Sequence, residues 1–264
     1  MKNAQLSVTN SLMVAFRKYL GDDMQQKLHM DHHPGTNPEP FRTVITGFQD
    51  ANALLESTYC YPRGGGQPGD TGTMVAGDIE TQIGEVLPGE MILHPIDEPD
   101  MFDVGDEVIC LIDQERRNLH AQMHTAQHIV SALAEDIWGA ETVGNQLSTD
   151  NSRVDLLFED KTVFDSEELV SQVNATLNKQ IPVNVHEWDR VQITSHEQMR
   201  HTKFMDRIPK SISNLRVVEV EGVDLCPCAG THVDNTSNIP NIQFLAKKNK
   251  GKGRIRFSYS FVKC

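Results

Sequence analysis

Residues 116–138 read RRNLHAQMHTAQHIVSALAEDIW, with the motif HTAQH at positions 124–128 in the centre. Apolar residues recur through the stretch every three or four positions, a spacing that predicts one long amphipathic α-helix. The histidines form a separate column, because residues four positions apart share one face of a helix. Two imidazoles at that spacing can bind one metal ion. The stretch therefore predicts a helix that carries metal ligands, in a column made of His120, His124 and His128.

A second ligand motif, CAGTH at positions 228–232, follows about a hundred residues later. With the helix histidines it completes a set of one cysteine and three histidines, which suits one zinc ion per chain. Gly230 permits a tight turn, so Cys228 and His232 can face one ion without lying on a helix. Cys226 is an alternative ligand. We favour Cys228, because the proline between the two cysteines can splay their sulfurs apart.

The helix motif differs from those of zinc peptidases at the position of the general base. Peptidase helices of the HExxH or HxxEH type place a glutamate between the two histidines. Thr125 and Gln127 occupy the corresponding positions here. Neither side chain is a base at neutral pH, so the sequence disfavours a peptidase.

The size and composition of the chain set broad limits. With 264 residues, of which 38% are hydrophobic, the chain can bury a core and form two domains. No apolar run approaches the roughly 18 residues of a membrane span, so we expect no membrane partner. The five cysteines are few and odd in number, which favours a reducing cytoplasm over a disulfide framework. The oligomeric state stays open.

Charge is distributed unevenly along the chain. The formal net charge is −13 at pH 7, yet residues 241–264 contain seven basic residues and no acidic one. Since −13 less +7 is −20, the negative charge lies in residues 1–240. A basic patch on an acidic body can bind a phosphate backbone, although a solvated hairpin is the alternative. We assign the phosphate contacts to Lys248, Lys250, Lys252 and Arg254.

The order of turns, strands and helices predicts an α+β fold in two parts. Residues 41–114 contain short apolar segments between closely spaced Gly, Pro and Asp, which favours a small β-barrel-like domain. Residues 115–264 mix helices with strands and form an α+β domain that carries the metal motifs. Residues 1–40 are an unassigned extension, with a short helix expected from Val8 to Leu20. Its clustered histidines are expected to be solvated: His29, His32 and His33.

Local signals place further elements in the second part. Asp165 with Glu168 resembles a capping box, which predicts a helix to about Lys179. Ser195 with Gln198 predicts the start of another helix by the same rule. Strands are expected at 144–147, 153–158, 215–220, 242–245 and 254–261.

Two more stretches, taken with the two ligand motifs, resemble a known family. They are YPRGGGQPGDTG at positions 61–72 and KNKGKGRIRF at positions 248–257. In this order the motifs resemble the editing domain of alanyl-tRNA synthetase and its free-standing relatives, a domain also related to one in threonyl-tRNA synthetase. The resemblance runs from about Thr43 to Phe261, and residues 1–40 lie outside it.

The resemblance implies a zinc-dependent deacylase that hydrolyses the ester joining serine or glycine to alanine-specific tRNA. Serine differs from alanine by one hydroxyl and glycine by one methyl, and binding pockets reject such small differences poorly. The chain is too short to hold the synthesising part as well, and it lacks GxGxxG and P-loop motifs. Neither ATP use nor ligase activity is therefore expected. Two alternatives stay open: a non-catalytic tRNA-binding module with a structural zinc, and a zinc hydrolase of another small ester or amide.

The resemblance and the residue chemistry together assign roles to single residues. By position, the zinc ligands are His124, His128, Cys228 and His232. Candidates for the catalytic groups are His120, Thr125 and Gln127, and Thr125 is also a candidate for sensing the amino-acid hydroxyl. Candidates for substrate binding are Gly64, Gly65, Gly66, Gln67, Asn145, Gln146 and Ser148. Four protein ligands close a tetrahedron, the pattern of a structural zinc site, so the role of the metal in water activation stays open.

Overall fold

A computed structural model describes residues 25–31, 39–196, 199, 205, 208, 210 and 212–263. The helix expected from Val8 to Leu20 lies outside these residues, as do His32 and His33. Within the described residues the protein has the α+β architecture that the sequence predicts, built mainly from antiparallel sheets. In the same part of the chain, no helix has the length and apolar character needed to cross a membrane.

The N-terminal part is built on a six-stranded antiparallel sheet. Its elements in chain order are β1 (Gln26–Lys27), α1 (Leu28–Asp31), β2 (Phe41–Gln49), β3 (Asn52–Leu55), β4 (Ser57–Thr58), β5 (Gly72–Ala76), β6 (Ile79–Ile83), β7 (His94–Pro95) and β8 (Glu107–Ile112). β1 pairs in parallel with β4, and the other six strands lie in the order β6-β5-β8-β2-β3-β7. Inward-facing residues such as Ile45, Leu55 and Met74 form one core.

Within the described residues, the strand ladders of this sheet do not close it into a barrel. Its end strands, β6 and β7, are joined by one isolated bridge between Ile83 and Ile96. Gly84 N also donates to Pro95 O at 2.8 Å. β7 is only 2 residues long, and Pro95 has no N–H to extend a ladder. The barrel-like closure expected for residues 41–114 is therefore not confirmed.

The long helix predicted around HTAQH is α2 (Gln114–Trp138), which begins slightly earlier than expected. The side chain of Asp113 caps its N-terminus by accepting a hydrogen bond from Arg116 N. Gly139 ends it in the left-handed conformation, with φ of 65°, which glycine adopts without steric cost. Small and β-branched residues on the buried side of α2, such as Ala126 and Val130, allow close packing against the second core.

The C-terminal part surrounds α2 with two further sheets. Its elements are β9 (Glu141–Gln146), β10 (Ser152–Leu157), α3 (Ser166–Leu177), β11 (Val183–Asp189), α4 (Arg190–Ser195), β12 (Asn214–Val220), β13 (Asp224–Pro227), β14 (Ile242–Asn249) and β15 (Arg254–Phe261). One sheet has the order β14-β15-β10-β9 and the other β11-β12-β13. Phe257 and Tyr259 from the first and Val218 from the second share one core with α2 and α3.

Comparison with the local sequence signals confirms most elements of this part and corrects one. α3 follows Asp165, whose side chain accepts hydrogen bonds at the first turn. The helix expected to start at Ser195 does not begin there, because Ser195 is the last residue of α4 and His196 after it is extended; Gln198 lies outside the described residues. Asp189 and Gln192 form the capping box of that helix instead. The division of the chain at residues 114 and 115 stays a prediction.

The first described segment also corrects an expectation. His29 is not solvated: it is 8% exposed and lies edge-on to Tyr61 with ring centroids 5.9 Å apart. The pairing of β1 with β4 brings it there. Gln25 anchors the same segment, since its Nε2 donates to Leu55 O at 2.8 Å and its Oε1 accepts from Ile92 N at 2.7 Å.

Candidate metal centre

Two segments bring the four predicted ligands together. α2 supplies His124 and His128, and the turn that follows β13 supplies Cys228 and His232. Their ligand atoms all lie within 4.8 Å of one another. Cys228 Sγ is 3.3 Å from His232 Nε2 and 3.6 Å from His124 Nε2. Zinc bonds of about 2.3 Å to sulfur and about 2.0 Å to nitrogen in a tetrahedron separate two such ligand atoms by about 3.6 Å. The cluster therefore fits zinc.

Both helix histidines are oriented through their Nδ1 atoms. His124 Nδ1 donates to Gln67 Oε1 at 2.8 Å. His128 Nδ1 donates to the buried carboxylate of Asp224, with 2.9 Å between Nδ1 and Oδ2. An imidazole with its proton on Nδ1 has a lone pair on Nε2, so each ring is prepared to bind a metal through Nε2.

His232 is held in the same tautomer by a hydroxyl of α2. Thr125 Oγ1 donates its hydrogen to Ala121 O at 3.0 Å, so towards the imidazole it can only accept. His232 Nδ1 therefore donates to Thr125 Oγ1, over 3.1 Å. Burial, and then the neighbouring His124, hold the pKa of His232 well below its usual range. All three rings thus have Nδ1 in a hydrogen bond, which leaves Nε2 to face the centre.

The two cysteines near the cluster differ in acidity. Burial opposes ionisation of Cys228, but His124 and His232 lower the pKa of its thiol well below the usual range. For Cys226, burial raises the pKa of the thiol to about 12. Cys226 Sγ lies 3.5 Å from His128 Nδ1, the nitrogen that faces away from the metal ligands' common centre. Because the thiolate is the form that binds zinc, these surroundings favour Cys228 as the ligand.

The Gly-rich stretch forms a two-residue hairpin turn. Gly64 and Gln67 are hydrogen-bonded in both directions, at 3.0 and 2.8 Å. Gly65 and Gly66 between them have φ of 56° and 87°, and positive φ at both central positions is the property that glycine supplies. The turn delivers the side chain of Gln67, which is fully buried, into the metal cluster. There its Nε2 donates to Thr231 Oγ1 at 2.9 Å.

A chain of polar side chains extends from this turn along α2. Asn145 lies so close to Gly66 that a Cβ at Gly66 would overlap its amide group. Asn145 Nδ2 donates to Gln127 Oε1 at 2.9 Å, and Gln127 Nε2 donates to Ser131 Oγ at 2.8 Å. Thr142 Oγ1 reaches the same Ser131 oxygen at 2.7 Å. The structure thus joins two sequence candidates, Asn145 of β9 and Gln127 of α2, in one hydrogen-bond network.

The other candidates make different contacts. Gln146 Oε1 accepts two hydrogen bonds from Arg153, at 3.0 and 2.6 Å. Ser148 contacts Ser152 through its backbone, with 3.1 Å from Ser148 N to Ser152 Oγ. His120, one helical turn before the first ligand, is 1% exposed, and burial lowers its pKa to about 4. His120 is therefore neutral at pH 7.

The predicted phosphate-binding residues lie on the hairpin formed by β14 and β15. Lys248 belongs to β14 and Arg254 to β15, while Lys250 and Lys252 lie in the turn between the strands. All four side chains are exposed. The hairpin therefore presents its cations to solvent.

Sequence reasoning missed a buried ion pair that joins α2 to the Gly-rich segment. Arg117 and Asp70 form this pair, with side-chain exposures of 2% and 0%. Arg117 Nη2 also donates to Tyr59 O at 2.8 Å, and Asp70 Oδ2 accepts from Tyr61 N at 2.7 Å. The signal was the position of Arg117, seven residues before His124 and so on the same helix face.

Two residues that contact the ligand residues were missed as well. Arg216 Nη1 donates to Cys228 O at 2.7 Å and to Gly230 O at 3.0 Å, and so holds the ligand turn. Asp224, the partner of a helix histidine, starts β13. Alternate residues of a strand share one face, so the spacing of Asp224, Cys226 and Cys228 was the available signal.

Replacing Gly230 by alanine should weaken metal binding. A Cβ at Gly230 would overlap the His124 ring and crowd Gln67 Oε1 at 3.2 Å, so the ring must move away from its acceptor. Loss of such an orienting contact costs about ten- to a hundredfold in metal affinity. Competition with a chromophoric zinc chelator measures this change. The control is Gly47→Ala, where the added Cβ would make an ordinary 3.6 Å contact with Leu54. Equal affinities for the two variants would contradict the role of Gly230.

The fold and the site define a class: α+β proteins in which one cysteine and three histidines, a set that could hold a metal ion, lie between an HxxxH helix and a CxxxH turn. The profile of the threonyl and alanyl tRNA synthetase second additional domain matches residues 215–258. The chain is 33% identical over 229 residues to the alanyl-tRNA editing protein AlaX-M of Methanosarcina barkeri, covering 83% of this chain and 93% of that protein. It is 36% identical over 223 residues to AlaX-M of Saccharolobus solfataricus, with the same coverages of 83% and 93%.

A third relative shows the relation to the larger enzymes. The alanine–tRNA ligase of Methanosphaera stadtmanae is 31% identical over 247 residues, which cover 89% of this chain but 27% of the ligase. The similarity to AlaX-M extends over nearly the whole length of those relatives. The chain belongs to the family of alanyl-tRNA editing proteins.

Proposed function

We propose that this protein is a zinc-dependent, free-standing deacylase that hydrolyses the ester of alanine-specific tRNA mischarged with serine or glycine. The observation that carries the proposal is the set of three histidines, each protonated on Nδ1 by its hydrogen bonding, that present Nε2 towards Cys228 Sγ. This arrangement in a member of the editing family supports a zinc site at the editing centre. The reaction uses no ATP, and we place it in the cytoplasm.

The residues around the centre have separable tasks in this proposal. When bound to His124, His128, Cys228 and His232, zinc supplies Lewis acidity and a fixed positive charge for the ester or for the terminal adenosine. Gln67, Thr125 and Asp224 keep the three rings in the binding tautomer. The Gly-rich turn lets the backbone approach the substrate at Gly65, which projects no side chain, while Gly66 leaves room for the Asn145 amide. His120, neutral at pH 7, is the proposed proton-handling group.

Selection of the amino acid is assigned to the polar network at Asn145. Its Nδ2 is engaged by Gln127, so its amide oxygen is the atom to accept a hydrogen bond from the seryl hydroxyl. Alanine in the same position would leave a polar group of the pocket unpaired. A pocket that discriminates by shape alone gains about 1–3 kcal/mol per methylene, or up to about 200-fold, so a larger margin requires hydroxyl recognition.

The protein should hydrolyse seryl-tRNA(Ala) fastest, glycyl-tRNA(Ala) more slowly and alanyl-tRNA(Ala) least. The decisive measurement is kcat/KM for the three charged tRNAs, each with and without a zinc chelator. We expect a preference for serine over alanine above about 200-fold, which Asn145→Ala should reduce and a control such as Gln82→Ala on β6 should not. If the chelator leaves kcat/KM unchanged, zinc has no part in the reaction.

A second function is favoured by one feature of the same site. Four protein ligands fill a zinc tetrahedron, as they do in structural sites. The alternative is therefore a tRNA-binding module with a structural zinc. Binding of tRNA without hydrolysis of any of the three esters would establish this alternative.

A further inference from the structure

The four-stranded sheet has one apolar side and one polar side. Phe257 and Tyr259 of β15 are fully buried against α2. Because successive strand residues point to opposite sides, Arg254, Arg256 and Ser258 point the other way, to solvent. We call this solvent side of β14, β15, β10 and β9 the basic sheet face.

The strand register arranges the basic sheet face in rows that cross the sheet. In one row Lys248 of β14 is opposite Arg256, and Arg256 is opposite Asp155 of β10. In the next row Ser258 is opposite Arg153, and Arg153 is opposite Gln146 of β9. Directly opposed residues lie on the same side of a sheet, so each row continues from the hairpin to β9.

The charge on this side contrasts with the charge of the whole protein. The formal net charge of the chain is −13. The basic sheet face carries four cations against two carboxylates, those of Asp155 and Glu141. The cations are Lys248, Arg254, Arg256 and Arg153. Such a local excess of cations attracts a polyanion to this side of an otherwise acidic molecule.

Two of the arginines have fixed guanidinium groups. Arg256 forms a fork with Asp155, with Nε to Oδ1 at 2.6 Å and Nη2 to Oδ2 at 2.7 Å. Arg153 places Nε and Nη2 on Gln146 Oε1. A guanidinium has five N–H donors, so these bonds orient each group and leave further donors for a phosphate.

The basic sheet face ends at β9, the edge strand that contacts α2 and the Gly-rich turn. Gln146, at the end of the Arg153 row, stands between two residues that contact the site. Asn145 donates to Gln127 on α2, and Leu147 N donates to Gly66 O at 2.8 Å. A nucleic-acid backbone that follows these rows from the hairpin therefore reaches β9 and the Gly-rich turn.

We infer that the basic sheet face binds the phosphate backbone of the tRNA acceptor end, from the Lys248 hairpin to Arg153, which is paired with Gln146 of the edge strand β9. The inference rests on the proposed function and adds Arg153 and Arg256 to the phosphate-binding residues assigned from sequence. The occupant is an RNA backbone because the face combines cations with planar, pre-oriented guanidinium groups, whose remaining N–H donors match phosphate.

The test is binding of uncharged tRNA(Ala) to the full chain as a function of salt. Arg153→Gln and Arg256→Gln should each lower the slope of log affinity against log salt by about 0.7–0.9, the value for one lost phosphate contact. In about 0.1 M salt the loss of one contact corresponds to up to about eightfold weaker binding. Arg42→Gln removes the same charge from the exposed side of β2, in a different sheet, and should leave the slope unchanged.

Two outcomes would overturn the inference. One is an unchanged slope for both sheet variants in chains whose thermal midpoints match that of the parent. The other is an equal loss in Arg42→Gln, which would show a general effect of net charge. Arg153→Lys keeps the positive charge but loses the planar guanidinium group. If this variant binds tRNA more weakly with an unchanged salt slope, the result supports a phosphate contact by Arg153. Because uncharged tRNA is used, binding is read independently of hydrolysis, and failure of the proposed deacylase is seen only in the charged-tRNA assay.

Discussion

Cys228→Ala should lose both bound zinc and deacylase activity, whereas Cys226→Ala should keep both. Cys228 Sγ lies 3.3 and 3.6 Å from the Nε2 atoms of two ligand histidines, and these histidines favour its thiolate. Cys226 is a protonated thiol beside Nδ1 of His128. Loss of a hydrogen-bond partner of a metal ligand lowers metal affinity by roughly ten- to a hundredfold. Removing the thiolate, which is itself one of the four ligands, should lower the affinity by more. Elemental analysis after gel filtration gives zinc per chain, and seryl-tRNA(Ala) hydrolysis gives activity.

The pair of cysteine variants is informative because the residues share a segment but not a chemical role. Full zinc in Cys228→Ala would show the ligand assignment to be wrong. Loss of zinc in Cys226→Ala but not in Cys228→Ala would show that Cys226 is the sulfur ligand. Zinc retained with activity lost in Cys228→Ala would instead give Cys228 a role in the reaction apart from metal binding.

Asp70→Asn should be strongly destabilising. Asp70 and Arg117 are both almost fully buried, and Asp70 is the charge that compensates the guanidinium. Breaking a buried pair by neutralising one partner typically costs about 3–5 kcal/mol, because the other charge stays buried. Urea unfolding of the zinc-loaded protein measures the loss of free energy of unfolding.

A double variant separates charge from packing in this pair. Asp70→Asn combined with Arg117→Met removes both charges, so we expect it to recover part of the stability that Asp70→Asn loses. If the double variant loses as much free energy of unfolding as Asp70→Asn and Arg117→Met lose separately when added together, the ion pair is not the cause of the loss. The cause is then the loss of the backbone contacts to Tyr59 and Tyr61. Because the pair joins α2 to the Gly-rich segment, weaker zinc binding should accompany the loss of stability in Asp70→Asn.

The sequence predicts best those features that depend on neighbouring residues. The spacing of apolar residues around His124 predicts α2, and Asp165 predicts the start of α3, because helix periodicity and capping act within one or two turns. The same local rule fails at Ser195, which ends α4, while Asp189 and Gln192 form the capping box at the start of that helix. β11 is not predicted from its own mixed residues, since its pairing with β12 determines it.

The ligand types at their spacing were thus sufficient to name four metal-ligand candidates, His124, His128, Cys228 and His232, which the fold brings within 4.8 Å of one another. The tertiary structure alone decided which groups orient them. Gln67 reaches His124 across 57 positions of sequence and Asp224 reaches His128 across 96. Tertiary structure also decided that Arg153 shares a sheet face with the C-terminal hairpin, and left the barrel-like closure of residues 41–114 unconfirmed. The physical reason is range: periodicity and capping are set within a few residues, whereas contacts between distant segments exist only after packing has fixed the strand register.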